Sequence, residues 1–156
     1  KGEPTGVAKD FINFILSADG QAIVEEEGYI TVNDEAEAFT TDGSEGQIAV
    51  GGSSSVSPVM EKLIEAYQAV NPKAKIELQT SDSTSGMTGA IDGTFAIGMA
   101  SRELKDEEKA ELTGTSIALD GIAVVVNPNN TVEDLTMDQI KSIYIGETTD
   151  WADVAA

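Results

Sequence analysis

From Gln47 onward the chain alternates short β-branched runs with stretches of helical period, and this alternation limits the fold more than any other feature. "QIAVG" reads as a strand. "SSVSPVMEKLIEAYQAVNP" reads as a helix with Val59, Leu63, Ile64 and Tyr67 on one face, closed by Asn71 and Pro72. "KAKIELQT" alternates like a strand, "SDSTSGMTGAIDGT" carries a short helix, "FAIGMAS" is a strand and "KDEEKAEL" a helix. "TSIALDGIAVVVNP" (Thr115–Pro128) reads as one long strand, buried in its second half. "LTMDQIKSIYIG" is a last helix, and "TTDWADV" an irregular end. Strands alternating with helices predict an α/β layer structure with a mostly parallel sheet and helices on both faces.

Upstream of this region the pattern is different. "TGVAKDFINFIL" places Val7, Phe11, Phe14 and Ile15 at helical spacing, Ser17–Gly20 breaks it, and "QAIVEEE" forms a second short helix ended by Gly28. "YITV" is a short extended piece. Residues 33–46, "NDEAEAFTTDGSEG", are acidic, small and rich in Gly, Ser and Thr, and read as a flexible connector, since a surface loop of that length is uncommon.

Charge and residue usage remove several function classes. The chain has 28 acidic and 9 basic side chains, a net charge of −19, which argues against nucleic acid and anionic membranes as partners. A small anion is not excluded, because backbone N–H groups and hydroxyls act at short range while net charge is screened. Cysteine and histidine are both absent, so there is no disulfide framework, no thiol chemistry, and neither the usual general base nor the usual zinc ligand. No stretch is long and apolar enough to span a bilayer, and Lys1–Pro4 is not a signal peptide.

In open α/β sheets, ligands bind at the carboxyl ends of strands, where helices begin. The first such end here is "GGSSSV": two glycines allow close backbone approach, and Ser53, Ser54 and Ser55 stand where the helix presents unpaired N–H groups. Pro58 suits a first helical turn. Either one serine caps the helix and the others are solvated, or the loop cradles an anion. The design recurs in "QTSDSTSGM", with Ser81, Ser83, Thr84 and Ser85 before Gly86, and more mildly in "GMASREL", with Ser101 and Arg102. In a parallel sheet three such ends lie side by side, which favours a shared anion site. It is neither a Walker motif nor a dinucleotide fingerprint, since the required spacings are absent.

"AVGGSSSVSPVMEKLIEAYQAVNP", "IDGTFAIGMASRELKDEEK", "IALDGIAVVVNP" and "LTMDQIKSIYIGETTDWADV" closely resemble the amino-terminal lobe of phosphate-binding proteins of Pst-type ABC transporters, which have the type II periplasmic binding protein fold. Residues 1–32 resemble the carboxy-terminal segment of the same family, which returns from the second lobe to pack on the first. The resemblance implies a single lobe assembled as tail segment (1–32), linker (33–46) and first lobe (47–156), together one compact domain. The order fits either a circularly permuted lobe or a fragment across the junction of two tandem units.

For the site, the resemblance implies phosphate contacts from Ser54 and Ser55 in the first loop, from Ser83 with Thr84 beside it in the second, and from Ser101 in the third. Ser101 stands where some family members carry an aspartate that accepts the phosphate proton. Asp120 in "ALDGIAV" is either a substitute acceptor or a structural turn carboxylate. The family's remaining contacts lie in the second lobe. The implied ligand is inorganic phosphate or a similar oxyanion, the implied partner the transporter's membrane permease, and the implied location extracellular, cell-surface or periplasmic. A lone lobe leaves the anion open to water on one side, so binding by this chain alone is expected to be weak or absent.

Two alternatives compete. An enzyme would need Asp, Glu or Lys as its base beside Ser54 or Ser83, and no convincing Ser-x-x-Lys arrangement exists, so the chain is expected not to be an enzyme. A scaffold that self-associates through an exposed inter-lobe face is the other. Glu25–Glu27 and Glu107–Glu108 read as solvated helix faces. No metal and no cofactor is expected, since no Asp-x-Asp-x-Asp-Gly loop appears. Trp151, Tyr67, Tyr144, Phe11 and Phe14 read as core.

Overall fold

The computed structural model describes residues 2–154 and falls into two units, the first running to Gly121 and the second from Ile122. In the first unit three strands form a parallel sheet: β1 (Gly46–Ser53), β2 (Ala74–Ser81) and β3 (Ile97–Met99). β1 is central in the order β2-β1-β3, with Val50 opposite Leu78 on one side and Ile97 on the other. Helix α3 (Ser57–Val70) carries the chain from β1 to β2, and α4 (Ser83–Asp92) carries it back past β1 to β3. The two crossovers run in opposite directions. Because such connections are right-handed, they place α3 and α4 on opposite faces of the sheet. The predicted α/β class, parallel sheet and two helical layers are all present.

On the α3 face lies the apolar core. α1 (Gly6–Leu16) buries Val7, Phe11, Phe14 and Ile15, and α3 buries Val59, Met60, Leu63, Ile64 and Tyr67 against Val50, Ala74 and Ile76. Each such apolar side chain contributes about 1.5–3 kcal/mol when fully buried. α2 (Ala18–Glu26) starts earlier than the sequence suggests. Ser17 breaks α1 and at once caps α2, its hydroxyl accepting from the Gly20 N–H at 3.3 Å, so the apparent break is a hinge between two helices. Gly28, with φ +85°, closes α2 as expected.

The opposite face is built on missing side chains. A Cβ on Gly86 of α4 would lie 2.7 Å from the Gly52 Cα, and one on Gly52 would lie 2.3 Å from the Met99 carbonyl oxygen. Backbone therefore packs on backbone, and α4 sits directly against the carboxyl ends of β1 and β3.

The connector before β1 forms no helix, yet it is anchored. Asp10, 1% exposed, accepts from the Thr41 hydroxyl at 2.7 Å and the Asp42 N–H at 3.1 Å. Asn71 donates to the Ser44 carbonyl at 2.7 Å, and Phe39 packs edge-on against Phe14 with centroids 5.2 Å apart. The composition reads as flexible because the anchors lie far away in the sequence.

Several expectations are corrected. Thr115–Pro128 is not a strand: only Leu119 pairs, in an isolated antiparallel bridge with Ile30, and Ile122 and Val125 are 94% and 85% exposed. The run has β propensity but no partner strand among the described residues, and propensity alone does not make a ladder. Tyr144 and Trp151 are exposed rather than core. Glu108 is buried rather than solvated, for a reason given below. The second unit contains α6 (Met137–Tyr144), whose Thr136 and Gln139 form a capping box, and a single 3-10 turn at Trp151–Asp153.

Candidate functional site

The carboxyl ends of β1, β2 and β3 bring three hydroxyl-bearing loops together. The Ser53 hydroxyl, at the end of β1, donates to the Ser101 hydroxyl oxygen at 3.0 Å. Ser101 in turn donates its backbone N–H to the Ser83 hydroxyl oxygen at 3.2 Å, and the two hydroxyls lie 3.4 Å apart. The first and second loops are joined by the Ser54 N–H donating to the Ser81 carbonyl at 3.0 Å. A second hydroxyl pair, Ser57 with Thr80 at 2.9 Å, ties the start of α3 to β2. β1 lies between its two neighbours here, at the point where strand order reverses, which is where such sheets bind ligands.

Ser54, Ser55 and Ser101 are exposed, Ser83 is half-buried, and Thr84 is exposed on the first turn of α4. The Ser55 carbonyl accepts from the Tyr29 hydroxyl at 3.2 Å, so the segment before the connector reaches the first loop. Asp120 is exposed beside the Leu119 bridge, and no hydrogen bond joins it to the hydroxyl cluster among the described residues. The structure thus brings Ser53, Ser83 and Ser101 into one network, places Ser54 at its edge, and leaves Asp120 apart.

The question of capping receives different answers at the two helices. None of Ser53, Ser54 and Ser55 caps α3: its N-cap residue is Val56, and no side chain fills that end. The N-terminus of a fourteen-residue helix, with its positive dipole end, therefore opens onto the first serine loop. At α4 the cap is Asp82, whose carboxylate accepts from the Thr84 N–H at 2.8 Å, the Ser85 N–H at 3.0 Å and the Ser85 hydroxyl at 2.7 Å. The Ser85 hydroxyl above all, then the backbone N–H groups, hold the Asp82 carboxyl below the usual carboxylate range. Asp82 did not stand out among the serines, although Asp before a helical run is a cap signal.

Arg102, the residue after Ser101, brings a guanidinium to this network. Its guanidinium makes a two-pronged pair with Glu108, both bonds 2.8 Å, and points its second nitrogen at the Thr84 hydroxyl at 3.4 Å. Glu108, on α5 (Asp106–Lys109), also accepts the Lys105 N–H at 2.8 Å. The Arg102 contacts, with that N–H, bring the Glu108 carboxyl down to about 2. This pairing is what buries Glu108, and its helix is too short for sequence periodicity to reveal. Among the described residues no group of three or more His, Cys, Asp or Glu is placed to hold a metal, and no helix is long and apolar enough to cross a membrane. The hydroxyl cluster is an open surface. A cleft of about 450 Å³ runs beside it, lined by Thr80, Ser81, Thr84 and Ser85, and the cluster itself stands outside that cleft.

A family model described as a PBP superfamily domain matches residues 37–156. The chain belongs to the PBP superfamily. Within the superfamily it is 53% identical over 156 residues to "Phosphate-binding protein PstS 2" of Streptococcus agalactiae, a match that covers 99% of this chain and 53% of the relative. The chain therefore spans about half the length of that relative, and the match runs through residues 1–32 and the connector as well as the sheet. Among solved structures of the superfamily, a phosphate-binding protein of a Streptococcus pneumoniae phosphate ABC transporter aligns with TM-score 0.86 and 40% identity, over 97% of this chain and 59% of that one. A phosphate ABC transporter substrate-binding protein from Clostridium perfringens, solved with bound phosphate, aligns with TM-score 0.53 and 44% identity, over 69% of this chain and 45% of that one.

Proposed function

We propose that this chain is a single lobe of a solute-binding protein and carries half of a site for inorganic phosphate or a similar tetrahedral oxyanion, in service of an ABC transporter. The observation that carries this reading is the meeting of Ser53, Ser83 and Ser101, from three strand ends, beside the uncapped end of α3. Hydroxyls and helix N–H groups are donors, and a tetrahedral anion offers acceptors in every direction. Support comes from the similarity to proteins named for phosphate binding, one of them solved with phosphate. In this reading Ser54, Ser55, Ser83, Thr84 and Ser101 face the anion. Asp120 shares no hydrogen bond with the network and supplies no contact in this reading. The chain is a binding component rather than an enzyme, works outside the cytoplasmic membrane, and has a membrane permease as its macromolecular partner.

The order of segments supports a permuted lobe, since the Streptococcus agalactiae relative shares residues 1–32, the connector and the sheet region in one continuous match. A half-site leaves one side of the anion in water. Each hydrogen bond to a charged group contributes about 1.5–3 kcal/mol, so losing half of them removes several orders of magnitude in affinity. Calorimetric titration of the chain with phosphate tests this: weak or undetectable binding is expected, and submicromolar affinity for the monomer contradicts it.

The exposed apolar side chains of the second unit favour a second reading. Ile122, Val125, Met137 and Tyr144 are 94%, 85%, 79% and 79% exposed, so large apolar side chains stand open to a partner. In that reading the chain is a scaffold that self-associates. Light scattering across a concentration series separates the two, because a monomer at all concentrations eliminates the scaffold reading.

A further inference from the structure

The first serine loop is braced by a residue from outside the sheet. On the oxyanion reading given above, we propose that Tyr29 is a positioning residue for the anion site. Its hydroxyl fixes the Ser55–Val56 peptide, so that the Ser54 and Ser55 donors are held in place before the ligand arrives. That hydroxyl donates to the Ser55 carbonyl oxygen at 3.2 Å, across 26 positions of sequence. The N–H of the same peptide unit, which belongs to Val56, donates to the Ser53 carbonyl at 3.1 Å. A peptide unit is planar, so one tied at both its oxygen and its nitrogen cannot turn without breaking a bond. Ser55 stands directly before that unit. Ser54 is tied in turn, its N–H donating to the Ser81 carbonyl at 3.0 Å.

A capping side chain ties the entering chain to its helix. α3 has none, and Val56 enters it with φ −88° and ψ −22°. The loop at this open end is therefore held by other groups, and Tyr29 suits the task because it is itself fixed. Gly28, at φ +85°, turns the chain out of α2, and the Tyr29 N–H donates back to the Val24 carbonyl at 3.1 Å. The next residue, Ile30, exchanges two 2.9 Å bonds with Leu119. The Tyr29 ring is half-buried and packs on the same apolar core as Val56. The hydroxyl thus reaches the loop from an anchored ring, and the entropy of ordering the loop is lost on folding rather than on binding. Ordering a loop in advance raises affinity without any contact to the ligand.

Tyr29→Phe keeps the ring and removes one oxygen. In the ligand-free variant the Ser54 and Val56 amides, both hydrogen-bonded in the parent, are expected to exchange hydrogen faster, with the amides of α1 and the middle of α3 unchanged. Phosphate affinity, followed by amide chemical shifts as inorganic phosphate is added, is expected to fall about three- to tenfold, the worth of one neutral hydrogen bond. At saturating phosphate the Ser83 and Ser101 amides are expected to reach the parent's shifts, because Tyr29 orders the loop and does not touch the anion. Tyr144→Phe, which alters an exposed phenol in the second unit, is expected to match the parent in every readout. Affinity within about twofold of the parent, unchanged exchange at Ser54 and Val56, or faster exchange spread through the core overturns the proposal and leaves the oxyanion site standing. If phosphate perturbs none of the three loops in the parent, the oxyanion reading itself fails, and the role of Tyr29 in it fails too.

Discussion

The backbone N–H of Ser101 donates to the Ser83 hydroxyl oxygen at 3.2 Å, joining residues eighteen positions apart in sequence. That bond is possible only because the chain returns from β2 past β1 to β3 on its far side, and because glycines let α4 settle onto the strand ends. The candidate site is therefore a product of topology, and its integrity and the packing beneath it can be tested separately.

Ser83→Ala removes one oxyanion donor and leaves the Ser101 N–H without its acceptor. Phosphate affinity is expected to fall by about tenfold or more, with global stability reduced by about 1 kcal/mol. Ser54→Ala removes an exposed hydroxyl that supports nothing else. It is expected to weaken binding by less and to leave unfolding unchanged. Anion titration followed by amide shifts, with urea unfolding of each variant, checks both.

Gly86→Ala tests the close approach of α4. The added methyl would stand 2.7 Å from the Gly52 Cα and 2.7 Å from the Met99 carbonyl oxygen, against backbone that cannot turn aside. The expected cost is about 2–3 kcal/mol, because overpacking forces backbone shifts. A stability within about 0.5 kcal/mol of the parent in urea unfolding contradicts this packing.

Asp10→Ala tests the anchor of the connector. The Asp10 carboxylate accepts from the Tyr67 hydroxyl at 2.8 Å as well as from Thr41 and Asp42. Removing it leaves the buried Tyr67 O–H without its acceptor, although Asn71 still donates to the phenol oxygen at 3.1 Å, and the expected loss is about 2–4 kcal/mol. Tyr67→Phe leaves Asp10 with its other donors and is expected to cost about 1–2 kcal/mol. Desolvation first, then the bond to Asp10, pushes the Tyr67 phenol up to about 12 from 10.0. The folded state then holds a proton that the unfolded state releases. Stability from this term is complete below pH 10 and is lost as pH rises toward about 12. Tyr67→Phe should remove this part of the alkaline loss.

Glu108→Gln tests the pair that holds the third loop. The carboxyl is brought down to about 2 in the folded state from its ordinary 4.5, chiefly through Arg102. Here the unfolded state binds the proton first as pH falls. The contribution is complete above about 4.5 and is lost between there and about 2. The variant should show a shallower acid limb over that window in thermal unfolding, along with weaker ordering of Arg102 near Thr84.

Much of this was legible in the sequence, and the limits are physical. The period of residues 47–104 predicts the sheet and its helices, and Val59, Leu63, Ile64 and Tyr67 fall on the buried face as spaced. The serine loops stand out because three strand ends repeat one composition. Ser53 as a buried donor was not visible, since its neighbours Ser54 and Ser55 look identical in sequence and only the strand register separates them. The burial of Glu108 depends on a partner six residues away in a short helix, and the anchoring of the connector depends on Asp10. Thr115–Pro128 shows the opposite failure, a strand-like composition with a single bridged residue, because a strand needs a neighbour and local pattern does not supply one.

The central claim is that the loops around Ser54, Ser83 and Ser101 form half of an oxyanion site. Crystals of the chain soaked in concentrated inorganic phosphate test it most directly. Ordered tetrahedral density is expected within hydrogen-bonding distance of the Ser83 and Ser101 hydroxyls and of the open N-terminus of α3. Well-resolved loops with no anion at saturating phosphate, or an anion bound only elsewhere on the surface, would contradict it.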